Sequence, residues 1–177
     1  MGIQSFLNLV RATGSSTSRS LADRFADTVK ARDNGIVLDG ATVNTSAALK
    51  AAVEKAAGKI FELGSGEAIV SIPASGFASI APTSGFKFRG DGMELSTLRL
   101  QHADADYAPL FSLGLGNGVE FEDFNVVDEY LAALAAGSGA FCVVSASMDH
   151  IAFRRVRFDG TMAAGVDANT PDHTSYI

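Results

Sequence analysis

Three segments of the chain, "GFKFRGDG" (residues 85–92), "GVEFEDFNVVD" (118–128) and "HIAFRRVRFDG" (150–160), lie over one another without a gap. Phe86, Val119 and Ile151 coincide, as do Phe88, Phe121 and Phe153, at offsets of 33 and then 32 residues. The second and third segments also match at Phe124 with Val156 and at Val126 with Phe158. Within each segment apolar and polar residues alternate, which is the period of a strand with one buried side. A repeat of this length built from strands and turns predicts stacked coils, each strand lying parallel to its counterpart roughly 4.8 Å away. A sandwich gives no reason for like residues to recur in register.

The same alignment predicts the outer surface. Residues between the buried positions face solvent, which puts Glu122 between Arg89 one coil earlier and Arg154 one coil later, and Glu120 beside Lys87. Each exposed pair is worth at most ~1 kcal/mol, but opposite signs hold a register that like signs would disturb.

Composition supports a packed chain and restricts its partners. Of 177 residues, 47% are hydrophobic and 19% charged, so the chain can bury a core and is not of disordered type. With 14 basic and 20 acidic residues the net charge is −6, and no basic run is present to neutralise phosphates, which argues against a nucleic-acid partner. The one cysteine, Cys142, lies in the apolar run "AFCVV" and reads as a buried thiol. "MGIQSFLNLV" has neither the basic start nor the apolar run of a signal peptide, and no stretch approaches the ~20 apolar residues that span a bilayer.

Upstream of the repeat the pattern changes. "RATGSSTS" (11–18) is a small-polar linker or arm. In "SRSLADRFADTV" the i+4 spacing of Leu21, Phe25 and Val29 predicts a short helix with a narrow apolar stripe, whose partner is either the main body or copies of the same helix in an oligomer. A second helix is expected from Asn44 or Thr45, either of which can cap it, to Gly58, with Ala48, Leu49, Ala52, Val53 and Ala56 on one small-residue face. "DEYLAALAAG" (128–137) has the pattern of one further short helix or turn. Strands are expected from about residue 60.

The stretch "ARDNGIVLDGATVNTSAALKAAVEKAAGK" (31–59) resembles the N-terminal signature of the pectate-lyase-like right-handed parallel β-helix superfamily, as found in bacteriophage tailspikes and tail fibres. That pattern runs D-F-G-A-x-G-D-G-x-T-D-D-T, then an alanine-rich helix, then a G-x-V-x-x-P strand. Asp33, Gly35, Asp39, Gly40, Thr42 and Thr45 match, Asn44 replaces an aspartate, and "EAIVSIPAS" (67–75) matches the strand with Pro73. Asn34, Leu38 and Val43 depart from it. "TGSSTSRSLADRFADTV" (13–29) is similar to the leader that precedes the signature in phage tail proteins.

The resemblance implies a mainly β chain. An arm and small helix (1–30) serve virion attachment and oligomerisation, and residues 31–177 hold an amphipathic helix capping the first coils of a right-handed parallel β-helix. It further implies a virion protein, the N-terminal part of a tailspike or tail fibre, homotrimeric, with other tail proteins as partners and the host surface polysaccharide met by later coils. Leu21, Phe25 and Val29 are then the expected intersubunit contacts, and Asp33, Asp39, Asn44 and Thr45 the turn and cap residues. The stacked end after the last coil needs a cover, either further coils of a longer chain or a partner.

Chemistry-bearing candidates are few. His102, Asp104 and Asp106 alternate in "QHADAD" and would share one side of an extended segment, as a divalent cation requires, though a solvated strand reads the same way. Asp167, Asn169 and Asp172 in "DANTPDH" lack the glycine and glutamate of a calcium loop. Glu120, Glu122 and Asp123 could supply the two carboxylates of a glycan hydrolase. The aligned Arg154 and Arg155, however, would keep such acids ionised and suit a structural ladder better. "GSG" (64–66) and "GLGNG" (114–118) lead into strands, whereas a phosphate loop must open a helix, so no nucleotide or other cofactor is expected. A polysaccharide lyase or hydrolase and a cellular carbohydrate-binding module are the alternative classes.

Overall fold

The computed structural model describes residues 9–10, 19–20, 27–73, 78–102, 109–113, 118–130, 141–144 and 150–161. Ahead of the main body, β1 (Leu9–Val10) and β2 (Arg19–Ser20) pair antiparallel. The main body is a parallel β-solenoid of about three turns with strands on three faces. The first face stacks β3 (Thr28–Lys30), β5 (Ile60–Glu62), β7 (Lys87–Arg89) and the first parts of β10 (Val119–Tyr130) and β12 (Ile151–Thr161). The second stacks β4 (Asp39–Thr45), β6 (Gly66–Ile72), β8 (Ser96–His102) and the later parts of β10 and β12. The third carries Ile80, β9 (Phe111–Leu113) and β11 (Cys142–Val144).

The register is the one the repeat predicts. Phe88 pairs with Phe121 and Phe121 with Phe153, while Val119 meets Ile151, Phe124 meets Val156 and Val126 meets Phe158. The column also continues downward, from Phe88 to Phe61 and from Phe61 to Val29. Inside, the rings stack: Phe61 and Phe88 lie 5.1 Å apart, Phe88 and Phe121 6.3 Å, and Phe121 and Phe153 5.1 Å and nearly parallel. Phe111 and Phe141 close the same core from the third face, each with its ring 5.2 Å from that of Phe121. Among the described residues seven phenylalanines are fully buried, so the interior is held mainly by aromatic area, the strongest apolar contribution per residue available to the chain.

The corner between the first two faces changes along the stack. In the early turns it is a glycine-bearing loop, Gly64–Gly66 and then Gly90–Gly92. In the last two turns it shrinks to one residue with left-handed φ, Asp123 (64°) and Arg155 (51°), and β10 and β12 run through it. The loop and the tight corner meet at Gly90. A Cβ there would collide with the carbonyl oxygen of Asp123 and lie 2.7 Å from Ser96 Cβ and 2.9 Å from Phe124 Cβ. Buried Ser96 ties the two corner loops together, its hydroxyl donating to the Gly64 carbonyl (2.8 Å) and accepting from the Asp91 N–H (2.7 Å).

The solenoid begins earlier than residue 60. Val29 lies in β3 with its side chain packed on the solenoid core, and not on a helix; Leu21 and Phe25 lie outside the described residues. Two β-branched residues, Thr28 and Val29, sit in register with Ile60 and Phe61, and this pairing outweighs a three-residue i+4 stripe. Asp39–Thr45 is likewise a strand, β4, parallel to β6. Its sequence "DGATVNT" carries no apolar alternation because only Asn44 is buried along it. Of "DEYLAALAAG", Asp128–Tyr130 finish β10 and the remainder lies outside the described residues.

The one helix among the described residues, α1 (Ser46–Glu54), connects β4 to β5, where the later turns carry the strands of the third face. Thr45 is its N-cap, its hydroxyl accepting from the Ala48 N–H at 3.1 Å. Leu49, Ala52, Val53 and Ala56 are buried, as the small-residue face predicts, and Val53 and Ala57 lie beside Ile80 and Phe86. Lys50 adds a bond to the Ser79 carbonyl (3.2 Å) and an ion pair to Glu54 (2.8 Å). The helical bonds stop at Glu54, and a turn continues to Gly58, which takes the left-handed φ of 66° expected of it.

Candidate functional site

Strand alternation sends Lys30, Glu62, Arg89, Glu122 and Arg154 outward in one column of the first face, and Lys87 and Glu120 outward beside them. The column alternates in sign at every turn. Its contacts are nonetheless diagonal as often as direct. Arg89 reaches back to Glu62 (3.0 Å), Lys87 bridges Glu120 (2.9 Å) and Glu122 (3.4 Å), and Arg154 turns toward Glu120 (3.6 Å). Glu122 therefore stands between Arg89 and Arg154 in register but takes its charge partner from Lys87. Long side chains reach the diagonal neighbour at little extra cost, which is why backbone register alone does not fix the pairing.

Asp123 sits at the tight corner and accepts both Nε and Nη2 of Arg155 from the next turn. This two-point bond holds its carboxyl below the usual range, and the Lys87 bond does the same for Glu120. Lys87 is raised in turn, first by Glu120. A general acid must carry a proton near neutral pH, and these two carboxyls are arranged to lose theirs. What the cluster does chemically is fix charge across successive turns.

The signature residues have separable structural roles. Asp39 folds back on its own strand, accepting from the N–H groups of Ala41 (2.9 Å) and Thr42 (2.7 Å) and from the Thr42 hydroxyl (2.8 Å), which lowers its pKa. Asn44 is buried and is not the helix cap. Its carboxamide accepts from the Val37 N–H (2.8 Å) and donates to the carbonyls of Val37 (2.9 Å) and Ile69 (3.0 Å), joining the loop before β4 to the next turn. Asp33 lies exposed in a 3₁₀ turn, Arg32–Asn34, closed by the Gly35 N–H on the Arg32 carbonyl (3.1 Å). Asn34 braces that turn, donating to the Lys30 carbonyl (2.8 Å) and accepting from Lys55 (2.7 Å).

His102 points into the solenoid. Its Nε2 lies 2.6 Å from Asp128 Oδ1, and the two side chains are 4% and 1% exposed. Their neighbours in the preceding turn are Ile72 and Leu100, so an ionisable pair lies in register with apolar interior residues. The parity of "FNVVD" carried this signal, since Asp128 falls in phase with Phe124 and Val126. Asp104 and Asp106, read with His102 as metal candidates, lie outside the described residues, as do Asp167, Asn169 and Asp172. Among the described residues no group of three or more His, Cys, Asp or Glu is placed to hold a metal ion. Cys142 is buried in β11, which raises its thiol pKa to about 11, and no helix among the described residues is long and apolar enough to cross a membrane. Comparisons with protein-family models, with curated proteins and with solved structures found no match.

Proposed function

We propose that this chain is a structural component of a phage tail, the N-terminal part of a homotrimeric tailspike or tail fibre. In this reading the solenoid is right-handed, α1 closes its N-terminal end, residues 1–30 serve attachment and oligomerisation, and the host-surface polysaccharide is met by later coils. The observation that carries the reading is the use made of the signature. Asp39, Asn44 and Thr45, the residues that resemble the tailspike pattern, make the first strand of the second face, its tie to the next turn and the cap of α1. These polar groups are engaged in holding local structure, which suits a stretch that starts a fold. The outer ion pairs support the same reading, because they neutralise one another and suit a rigid spacer.

Sedimentation equilibrium of the purified chain tests it: a mass of three chains is expected, and a monomer at concentrations up to about 100 µM would sink the trimer, since a subunit contact in a stable particle is far tighter than that. Proteomic analysis of a particle from a phage encoding the sequence tests the location, and its absence from the particle defeats the reading.

A further inference from the structure

The corner loops of the first turns enclose a cleft of about 350 Å³, within the size range of small-molecule sites. Its lining carries the cations Lys30 and Arg32 together with Glu62, Ser65 and Asp91. The charges are not equally engaged. Glu62 is held by Arg89 (3.0 Å), and Asp91 accepts the Ser65 hydroxyl on Oδ2 (2.5 Å). Arg32 uses one N–H, from Nη2, on the Ser65 carbonyl (2.8 Å), and the Lys30 ammonium has no ion-pair partner among the described residues. Two cations with donors to spare therefore line the same cleft as one carboxylate and one hydroxyl that can still accept. Aromatic residues are absent from the lining, so a ligand would be held by polar contacts and not by stacking.

We infer that this cleft binds a small monocarboxylate that carries hydrogen-bond donors on its far side. The carboxylate would meet Lys30 and Arg32, and the donors would meet Asp91 and Ser65. A dianion such as phosphate gains from the two cations and is repelled by Asp91. A neutral sugar satisfies Asp91 and Ser65 and leaves both cations unused. Hydroxyl donors mean an acidic sugar and an ammonium donor means an amino acid, and the experiment separates these sources. The inference stands on the cleft alone and needs neither the trimer nor the virion.

The test is a titration of the full chain by NMR or calorimetry at low ionic strength with glucuronate, glutamate, glucose and inorganic phosphate as separate probes. Glucuronate or glutamate is expected to bind with a Kd of about 1 mM or tighter, ahead of glucose and phosphate, and the tighter of the two identifies the source. Lys30→Ala, at an exposed position, should weaken that binding roughly tenfold, the usual worth of one charge-assisted contact. Asp91→Asn, which keeps an acceptor for Ser65, should weaken it too while leaving phosphate no weaker. Equal binding of phosphate, indifference to both substitutions with the melting temperature unchanged, or no binding by either carboxylate would overturn the proposal.

Discussion

The strands of the first face carry phenylalanines on their inner side and charges on their outer side, and the two sides are governed by different physics. Inward, Phe61, Phe88, Phe121 and Phe153 repeat the same side chain in register, and neighbouring rings touch only if that register holds. Outward, the charges of Glu62, Arg89, Glu122 and Arg154 alternate, yet half of the contacts skip to a diagonal neighbour. The inner column tolerates no slip, because a one-residue shift would turn every phenylalanine to water. The outer column tolerates several pairings of similar energy. Register is thus set from inside, and the outer charges select against wrong alignments without contributing much stability.

Deleting an inner rung should have the largest effect. Phe88 touches Phe61, Phe111, Phe121 and Phe124, with ring centroids 4.9 to 6.3 Å away. Phe88→Ala is expected to cost about 4 kcal/mol, read from urea denaturation, because stacked strands on both sides prevent collapse of the cavity. A loss below about 1 kcal/mol would show that the column is not the source of cohesion.

An ionisable pair on the inner side sharpens the contrast. Asp128→Ala leaves His102 in an apolar column without its carboxylate and should cost about 3 kcal/mol. Replacing both, His102→Ile with Asp128→Leu, continues the columns of Ile72 and Leu100 and should recover most of that loss. Additive losses in the double variant would mean that the pair contributes net stability beyond apolar packing. Next in size, Gly90→Ala forces a methyl group against the Asp123 carbonyl and Phe124, and a loss of roughly 2 kcal/mol is expected by the same measurement. An unchanged denaturation midpoint would mean that the corner relaxes freely.

These two sides also explain what could be read from the sequence. The inner column was legible over residues 85–160 because turns of 33 and 32 residues keep Phe88, Phe121 and Phe153 in phase. The step from Phe61 to Phe88 is 27 residues, out of phase with turns of 33 and 32, so the same rung at Phe61 fell outside the repeat. The third face was not legible, since Ile80 is a single bridging residue and β9 and β11 are each three residues long. The early strands β3 and β4 were hidden for another reason. One lies beside a plausible helical stripe, and the other buries an asparagine where a strand pattern wants an apolar residue. Of the candidate site, the positions of the outer charges followed from alternation, whereas the choice of Lys87 over Arg89 as partner of Glu122 depends on side-chain reach. The cleft between Lys30 and Asp91 joins residues of different turns and has no local motif.

On the outer side, Lys87→Gln removes the bridge between Glu120 and Glu122 and should cost less than about 1 kcal/mol, with the difference shrinking in high salt. A loss like that of Phe88→Ala would abolish the distinction between the two columns.

The smallest effect, and the most specific, is a pH dependence. Asp123 has a depressed pKa in the folded chain, first because of the bonds from Arg155. Its contribution is therefore fully present above the unfolded carboxylate value, about 4, and is lost as the pH falls through the lower folded value. Asparagine tolerates the left-handed φ of 64° at this corner and keeps an acceptor for Arg155, but it cannot titrate. The stability gap between the native chain and Asp123→Asn, from urea midpoints, should accordingly be constant from about pH 7 to 5 and close progressively between about pH 4 and 2. Glu120→Gln should show the same acid-side closure, since Lys87 and Arg154 depress its pKa in the same way. A gap that stays constant through the acid range would mean that these carboxylates meet the same environment folded and unfolded, and that the outer column lacks even a register-selecting role.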